Sequence, residues 1–157
     1  MLSEKLLAEI FERRKKLVWN ICYPYFMNPA DTEDAIQETF LRLAITNPTL
    51  KDMEHEQAWL ITTARNICKD ELRRARRKEL PLEDAEAADF PPPEIDETLA
   101  ALHELPEKYR TALYLFYYEE LTTAQIARML KCPDASIRSR LRRGRMLLKK
   151  KLGDDYQ

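Results

Sequence analysis

Glycine is almost missing from this chain: the 157 residues contain only 2 glycines, against 9 prolines. Tight turns between β-strands depend on glycine, because its backbone adopts positive φ angles without steric cost. A meander of β-strands is therefore not expected. Leu, Ala, Glu, Lys and Arg are abundant instead, and these residues are strong helix formers. The composition predicts an all-α protein.

Hydropathy and cysteine content exclude several classes of protein. No stretch approaches the roughly 20 apolar residues of a membrane-spanning helix, so we expect no membrane insertion. The N-terminal segment alternates acids and bases through its apolar positions, unlike a secretory signal peptide. Cys22, Cys68 and Cys132 are widely spaced and include no CxxC pair, so neither a disulfide framework nor a zinc site is predicted. We expect a cytoplasmic protein without a cofactor.

Charge is distributed unevenly along the chain, although the net charge is only −1. Residues 79–97 carry 8 acidic residues and no basic one, and they hold four of the nine prolines. This segment shows no apolar periodicity and repels itself, so we predict an extended linker. It divides the chain into two small helical domains, 1–78 and 98–152. The run from Ser136 to Lys151 has 8 bases and no acid, which indicates either a nucleic-acid contact or the solvated face of a helix.

Apolar residues at intervals of three and four predict three helices in the first domain. The first helix covers about 3–26, with a break expected near Pro24. Asn28 is a good N-cap for the second helix, which runs to about Ala44. After a loop, the third helix covers about 54–78. Its predicted buried stripe consists of Leu60, Ile61, Ala64, Ile67, Cys68, Leu72 and Ala75.

The opposite face of the third helix combines an aromatic ring, an amide and a row of bases. A tryptophan offers a stacking surface for a base, an asparagine can hydrogen-bond a base edge, and cations follow the phosphates. The pattern is typical of binding to single-stranded nucleic acid. The alternative is that Trp59 packs in the core and the bases are only solvated. The residues on this face are Trp59, Thr62, Asn66, Lys69, Arg73 and Arg77.

Four helices are predicted in the second domain, at about 95–104, 107–119, 122–130 and 134–152. Thr122 and Gln125 fit a capping box at the start of the third of them, and Asp134 is a plausible cap for the fourth. The short third helix, the tight connection and the longer fourth helix form a helix-turn-helix, a motif that places its second helix in the major groove of DNA.

The last helix is the strongest candidate for DNA binding. Guanidinium groups can bond guanine or phosphate in a forked geometry, and serines allow close approach to the backbone. A basic helical hairpin without a DNA partner remains the alternative. The residues expected to face inward are Ile126, Ala127, Leu130, Ile137, Leu141 and Leu148. The residues expected to face outward are Ser136, Arg138, Ser139, Arg142, Arg143 and Arg145.

Three segments, in this order, resemble bacterial RNA polymerase sigma factors of the sigma-70 family. They are DTEDAIQETFLRL at 31–43, AWLITTARNICKDELRR at 58–74, and LPEKYRTALYLFYYEELTTAQIARMLKCPDASIRSRLRRGR at 105–145. The two-part layout resembles the small extracytoplasmic-function (ECF) subfamily, which keeps only regions two and four. The resemblance implies a protein that binds core RNA polymerase and promoter DNA and directs strand opening and transcription initiation. It also implies an anti-sigma factor as a further partner.

The resemblance assigns the first segment to contact with the polymerase. In the family, this helix binds the clamp helices, a helical hairpin of the β′ subunit, through polar and charged side chains. The matching positions imply that the polymerase-binding residues are Glu33, Asp34, Gln37, Glu38, Phe40 and Arg42, with Phe40 partly in the core.

The resemblance assigns the other two segments to promoter DNA. Residues 49–57 match the family's specificity loop, which takes a flipped base of the −10 element. The implied contacts to the opened −10 strand are Trp59, Asn66, Lys69, Arg73 and Arg74, with Arg77 on the same helix face. The implied contacts to the −35 duplex are Thr122, Thr123, Ser136, Arg138, Ser139, Arg142 and Arg143.

Two positions depart from the family pattern. Lys131 stands in the turn where many relatives carry glycine, and a lysine adopts the left-handed conformation only at some cost. Arg142 places a long cation where many relatives have another residue. The −35 preference of a relative therefore does not transfer to this chain.

The sequence offers no catalytic machinery. It contains no P-loop, no cluster of metal ligands and no nucleophile–base pair, so we expect no catalytic residue and no enzymatic activity. The alternatives to a sigma factor are a stand-alone helix-turn-helix regulator, a sigma-like adaptor in a phage or secretion setting, and a helical scaffold. The motif at 31–43 argues against the regulator, because a plain repressor needs no such helix.

Overall fold

A computed structural model describes residues 2–77 and 92–153 of the chain. This part contains seven α-helices and no β-strand, which confirms the all-α prediction. The helices form two compact units, divided after Pro93. Unit 1 consists of α1 (Glu4–Phe26), α2 (Pro29–Thr46) and α3 (Met53–Arg77). Unit 2 consists of α4 (Glu97–His103), α5 (Glu107–Tyr117), α6 (Thr123–Leu130) and α7 (Asp134–Leu152).

Most of the predicted linker, 79–97, lies outside the described residues. Two acids at its C-terminal end have a local structural role. Asp96 accepts a hydrogen bond from the Leu99 amide at 2.8 Å and caps α4, which begins at Glu97. Negative charge at the N-terminus of a helix complements the helix dipole, so both acids stabilise α4.

The core of unit 1 forms where α1, α2 and α3 pack against one another. Trp19 of α1 is 1% exposed, and Ile36 of α2 and Leu60 of α3 are completely buried. Most of the stripe predicted for α3 is buried as expected, but Leu72 and Ala75 are only half-buried. The last turns of α3 therefore extend past the core, which leaves their basic side chains in solvent.

Pro24 does not break the first helix, contrary to the prediction. α1 continues through it to Phe26 and ends at Met27, whose left-handed backbone (φ 55°) lets its N–H donate to the Tyr23 carbonyl at 2.8 Å. Proline removes one helical hydrogen bond and crowds the preceding turn. Because Phe26 is only 6% exposed, we attribute the survival of this turn to tertiary packing.

Residues 53–57 belong to α3 and not to the loop at 49–57 that the resemblance implied. Asp52 caps this helix by accepting from the His55 amide at 2.8 Å. Glu56 is buried, and its carboxylate accepts hydrogen bonds from Arg13 Nη2 and Arg14 Nε, each at 2.6 Å. Two arginines of α1 therefore hold the start of α3 in place.

We expect Glu56→Gln to lower the free energy of unfolding of unit 1 by about 2 kcal/mol, because a neutral amide leaves two guanidinium groups without their counter-charge. Burial acts to raise the pKa of Glu56, but the hydrogen bonds from Arg13 and Arg14 outweigh it and hold that pKa below its usual 4.5. The wild-type advantage is therefore complete above pH 4.5 and shrinks as the pH falls through the folded-state pKa. Urea unfolding near neutral pH and in acid, followed by circular dichroism, measures both effects.

Glu12→Gln is the matched control for this prediction. Glu12 pairs with Lys15 at 2.9 Å, but its side chain is 69% exposed, so its loss costs less than about 0.5 kcal/mol. Equal destabilisation by the Glu12 and Glu56 variants contradicts the structural role assigned to Glu56.

α5 packs against α4, α6 and α7 in unit 2. Leu113 and Leu115 of α5 are completely buried. α7 approaches α5 closely at Gly144, where a β-carbon would lie 2.8 Å from Leu113 Cδ1. One of the two glycines in the chain thus allows the long basic helix to lie against the core.

The helix-turn-helix is formed by α6 and α7, and Ile126 and Ile137 are completely buried between them and the rest of unit 2. Met129, 2% exposed, takes the inward position that was predicted for Leu130, which is only half-buried. Packing against the rest of unit 2 decides this difference, because positions 129 and 130 each follow Ile126 by about one helical turn. Leu148 is also only half-buried, because it lies in the last turns of α7.

Local hydrogen bonds set the ends of α6 and the start of α7. Thr122 Oγ1 accepts from the Gln125 amide at 3.1 Å and Gln125 Oε1 accepts from the Thr122 amide at 2.8 Å, which confirms the predicted capping box. Lys131 adopts the left-handed conformation, with φ 55°, in the turn between α6 and α7. Asp134 is not the cap of α7: it lies one residue inside the helix, and its carboxylate pairs with Arg138.

Candidate functional site

The exposed side of α2 carries the polar residues that the resemblance assigns to polymerase contact. Asp34, Gln37 and Arg42 are exposed, and Glu38 is half-buried. Glu38 Oε1 accepts a hydrogen bond from Arg42 Nε at 3.1 Å across one helical turn. Such an exposed ion pair contributes little to stability. We call these four residues the α2 polar face, and its side chains are accessible to a partner.

The other two residues predicted to contact a polymerase lie in the core. Glu33 is 5% exposed and accepts a hydrogen bond from Gln37 Nε2 at 3.2 Å. Phe40 is 6% exposed, and its ring meets the ring of Phe11 edge to face, with 5.0 Å between the centroids. Glu33 therefore orients a residue of the α2 polar face, while Phe40 anchors α2 on α1.

A groove runs between the α2 polar face and the C-terminal half of α3. Sequence reasoning missed the two acids that α3 contributes to it, Asp70 and Glu71, because only the packing of α2 on α3 brings them near Asp34 and Glu38. Carboxylates outnumber guanidinium groups on its walls, so the groove extends the acidic surface of α2 and is complementary to a basic partner. The charged residues that line it are Asp34, Glu38, Arg42, Asp70, Glu71 and Arg74.

α3 presents its predicted nucleic-acid face to solvent. Asn66 and Arg77 are exposed, and Trp59 and Lys69 are half-buried. Among the described residues, Trp59 takes part in no ring pair and no hydrogen bond. Because the Trp59 indole is half-buried, the helix holds one side of the ring in place and the other side remains exposed to solvent. Stacking on a nucleobase requires such an exposed ring surface.

Two of the predicted DNA-binding bases on α3 are paired within their own helix. Arg73 Nη2 lies 3.0 Å from Asp70 Oδ1, and Arg74 Nη1 lies 3.7 Å from Glu71 Oε2. More than half of each of these side chains is exposed, so each pair is worth at most about 0.5 kcal/mol. A phosphate can replace either carboxylate at small cost.

The outward side of α7 is basic and open to solvent. Arg138, Arg142 and Arg143 are exposed, and Ser136 and Ser139 are half-buried between them. The spacing of these residues places them on one side of the helix, where the arginines can reach base edges or phosphates.

Thr122 and Thr123 lie at the start of α6. Thr122 is exposed and Thr123 is half-buried. The Thr122 hydroxyl already accepts the capping hydrogen bond from the Gln125 amide, so its role in this structure is to cap α6. Its backbone and the Thr123 side chain lie at the positive end of the helix dipole, which favours a nearby phosphate.

Two residues of α5 flank the basic side of α7. Lys108 and Tyr109 line one cleft with Arg143, and Lys108 Nζ lies 5.0 Å from the centroid of the Tyr109 ring. Partial desolvation acts to raise the pKa of Tyr109, but these two cations outweigh it and hold that pKa below its usual 10.0. Sequence reasoning missed both residues, because only the packing of α7 on α5 brings them to Arg143.

The cysteines of unit 1 are core residues. Cys22 and Cys68 are both completely buried and form no disulfide. A hydrogen bond with Cys68, together with burial, raises the pKa of the Cys22 thiol. A neutral, buried thiol is unreactive, so this pair contributes packing rather than chemistry.

The part of the chain that the structure describes contains neither a candidate metal site nor a helix that could span a membrane. No group of three or more His, Cys, Asp or Glu side chains there could hold a metal ion. None of the described helices is both long enough and apolar enough to span a bilayer.

Two family models match the chain, one on each unit. The model of Sigma-70 region 2 matches residues 10–78. The model of Sigma-70, region 4 matches residues 95–148. The first match includes the α2 polar face and the exposed side of α3, and the second includes the helix-turn-helix.

Similar proteins of known family agree with these matches. The chain is 28% identical to the ECF RNA polymerase sigma factor SigW of Bacillus subtilis (strain 168), over 97% of this chain and 91% of that protein. It is 33% identical to the ECF RNA polymerase sigma factor SigM of the same organism, over 74% of this chain and 77% of that protein.

A solved structure also has the same fold. The sigma factor RpoE from Bartonella quintana, crystallised in complex with the anti-sigma factor NepR, matches with a TM-score of 0.69 over 97% of both chains. The two sequences are only 20% identical, so this match concerns the fold alone.

Proposed function

The chain belongs to the ECF sigma factors of the sigma-70 family, and we propose that it binds core RNA polymerase through the α2 polar face and promoter DNA through α3 and α7. As a sigma factor, it directs promoter-specific transcription initiation. The observation that carries this assignment of surfaces is the match of the region 2 and region 4 models to two separate helical units. The acidic character of the groove beside α2 and the basic character of α7 agree with their different partners.

The chain carries out this function by binding polymerase and promoter DNA, and it is not itself an enzyme. α7 holds the −35 duplex, where guanidinium groups reach base edges and phosphates. α3 holds the opened −10 strand, with Trp59 as the stacking surface for a base and Asn66 as a hydrogen-bonding partner. Because a flipped base is bound only in the open state, capture of the strand shifts the equilibrium toward the open promoter. The polymerase then carries out the synthesis of RNA.

A regulatory partner also belongs to the proposal. The structurally similar RpoE was solved with an anti-sigma factor, and we extend this class of partner to the present chain. The chain has to meet the polymerase and the chromosome, so we assign it to the cytoplasm.

Association with purified core polymerase tests the proposed function. We expect the full chain and core polymerase to elute together in size-exclusion chromatography and to retain promoter DNA that neither retains alone. A chain that binds one DNA sequence tightly by itself, and does not associate with the polymerase, contradicts the proposal and favours a stand-alone regulator.

Arg138→Ala is expected to weaken binding of the holoenzyme to promoter DNA by about 1–2 kcal/mol and to relax the preference at one −35 position. The lower part of the usual range applies because Arg138 is already paired with Asp134 in the free chain and must exchange that partner for a guanine. Competition binding with a series of singly altered −35 elements measures the effect. If Arg138 contacts only a phosphate, all sequences weaken equally, and the assignment to a base is wrong.

A further inference from the structure

A cleft lies between the first turn of α5 and the N-terminal half of α7 in unit 2. Lys108 and Tyr109 form its α5 side. Ser136, Ser139, Arg140 and Arg143 form its α7 side. Only three of these six residues, Ser136, Ser139 and Arg143, were expected to contact DNA, so the remaining three have no role assigned by the proposed function.

The cleft concentrates positive charge that no carboxylate of the described residues neutralises. Three of its lining residues, Lys108, Arg140 and Arg143, are cations, and no acid lines it. Within 2–77 and 92–153, no ion pair joins any of these three cations to an acidic side chain. Two other bases of unit 2 are paired with acids: Arg138 with Asp134, and Lys151 with Glu104 at 3.5 Å.

Tyr109 lies in the same cleft as two of these cations. Lys108 and Arg143 both line the cleft with it, and Lys108 Nζ lies 5.0 Å from the centroid of its ring, although the two positive charges repel each other. A neutral phenol compensates only a small part of this repulsion, whereas an anion in the cleft compensates all of it. Desolvation acts to raise the pKa of Tyr109, but its interactions with Arg143 and Lys108 outweigh this effect and lower the pKa, which agrees with a positive potential in the cleft.

We propose that this cleft binds one phosphate of the DNA backbone beside the −35 element, and that Lys108 and Tyr109 of α5 are contacts to that phosphate. The hydroxyls of Ser136 and Ser139 and the guanidinium of Arg143 complete a set of donors that fits the several oxygens of a phosphate. The inference rests on the proposed function, because the serines and Arg143 lie on the helix that is assigned to the −35 duplex. Contact from α5 fixes the angle at which α7 enters the groove.

The test uses Lys108→Gln in the full chain, assembled with core polymerase. Loss of one phosphate contact is expected to weaken promoter binding by about three- to tenfold and to reduce the slope of log affinity against log salt by about one unit. The loss is expected to be the same for the preferred −35 element and for singly altered ones, because a phosphate contact carries no sequence information. Titration of labelled promoter DNA at several salt concentrations measures all three quantities.

Two further variants separate the contributions. Lys150→Gln is the matched control, because it removes the same charge from an exposed position near the other end of α7, and it is expected to leave the affinity and the slope at wild-type values. Tyr109→Phe keeps every cation and removes only the hydroxyl. It is expected to lower the affinity a few-fold while the salt slope stays unchanged, since the number of cationic phosphate contacts is the same.

The inference is overturned if the Lys108→Gln holoenzyme binds promoter DNA with wild-type affinity and slope. It is also overturned if this variant binds DNA normally but loses affinity for an acidic protein partner, since the cleft is then a protein site. Failure of the wild-type holoenzyme to bind any promoter is a different result, which removes the proposed function and this inference with it.

Discussion

The double substitution Asp34→Lys with Glu38→Lys is expected to abolish association with core RNA polymerase while unit 1 stays folded. It places two cations on the α2 polar face, where the proposal expects a basic partner. Unfavourable like-charge contacts across an interface cost several kcal/mol, so the affinity should fall about 100-fold or more. Folding is spared because Asp34 is exposed and the Glu38–Arg42 pair, with side chains 44% and 47% exposed, is worth at most about 0.5 kcal/mol.

The matched control is Glu9→Lys with Glu12→Lys, which makes the same change of charge at two exposed positions of α1. Binding of each purified variant to labelled core polymerase, measured by fluorescence anisotropy, gives the affinities. Circular dichroism and the melting temperature establish that both variants are folded. If the folded Asp34/Glu38 variant binds the polymerase with wild-type affinity, the assignment of the α2 polar face to polymerase contact is wrong.

Trp59→Ala is expected to reduce the formation of open complexes on duplex promoters by about 10- to 100-fold, because stacking of one base on an aromatic ring is worth about 1–3 kcal/mol. Binding to the −35 duplex is expected to be unchanged, since α7 lies in unit 2. Permanganate footprinting of unpaired thymines on a duplex promoter measures the opening.

A template whose −10 region is already unpaired supplies the control for Trp59→Ala. Transcription from this template is expected to recover at least partly, because melting is no longer required. If the variant melts at a much lower temperature, the ring is a structural residue of unit 1. If it opens duplex promoters normally, the strand-binding face has been assigned to the wrong side of α3.

Features that depend on residues three or four apart were predictable from the sequence. Asn28 caps α2 as expected, with its Oδ1 accepting from the Asp31 amide at 3.1 Å. The capping box of Thr122 and Gln125 and most of the apolar stripe of α3 were also predicted correctly. Such features were accessible because a helix brings these positions together whatever the rest of the chain does.

Features that depend on packing between helices were not predictable. The spacing of Arg13 and Glu56 in the chain gives no sign that they form an ion pair between α1 and α3. The break expected at Pro24 did not occur, because burial of Phe26 outweighs the local preference of proline. The cleft of unit 2 was not predicted for the same reason, since Lys108 and Arg143 line one cleft only when α7 packs on α5.

In the candidate site too, features set by helical periodicity were predictable and features set by packing between helices were not. The exposed bases and Trp59 of α3 lie where helical periodicity placed them, and so do the arginines of α7. Burial of Glu33 could not be read from the motif, because it depends on how α2 is turned against its neighbours. The assignment of each exposed residue to polymerase or DNA stays a prediction.

Transcription by core RNA polymerase on fragmented genomic DNA, with and without the chain, tests the central claim most directly. Mapping of the RNA 5′ ends reveals where initiation occurs. We expect the chain to create a new set of start sites, all preceded by one pair of −35 and −10 elements at constant spacing, and we expect the Asp34/Glu38 variant to create none of them. Start sites that are the same with and without the chain contradict the account.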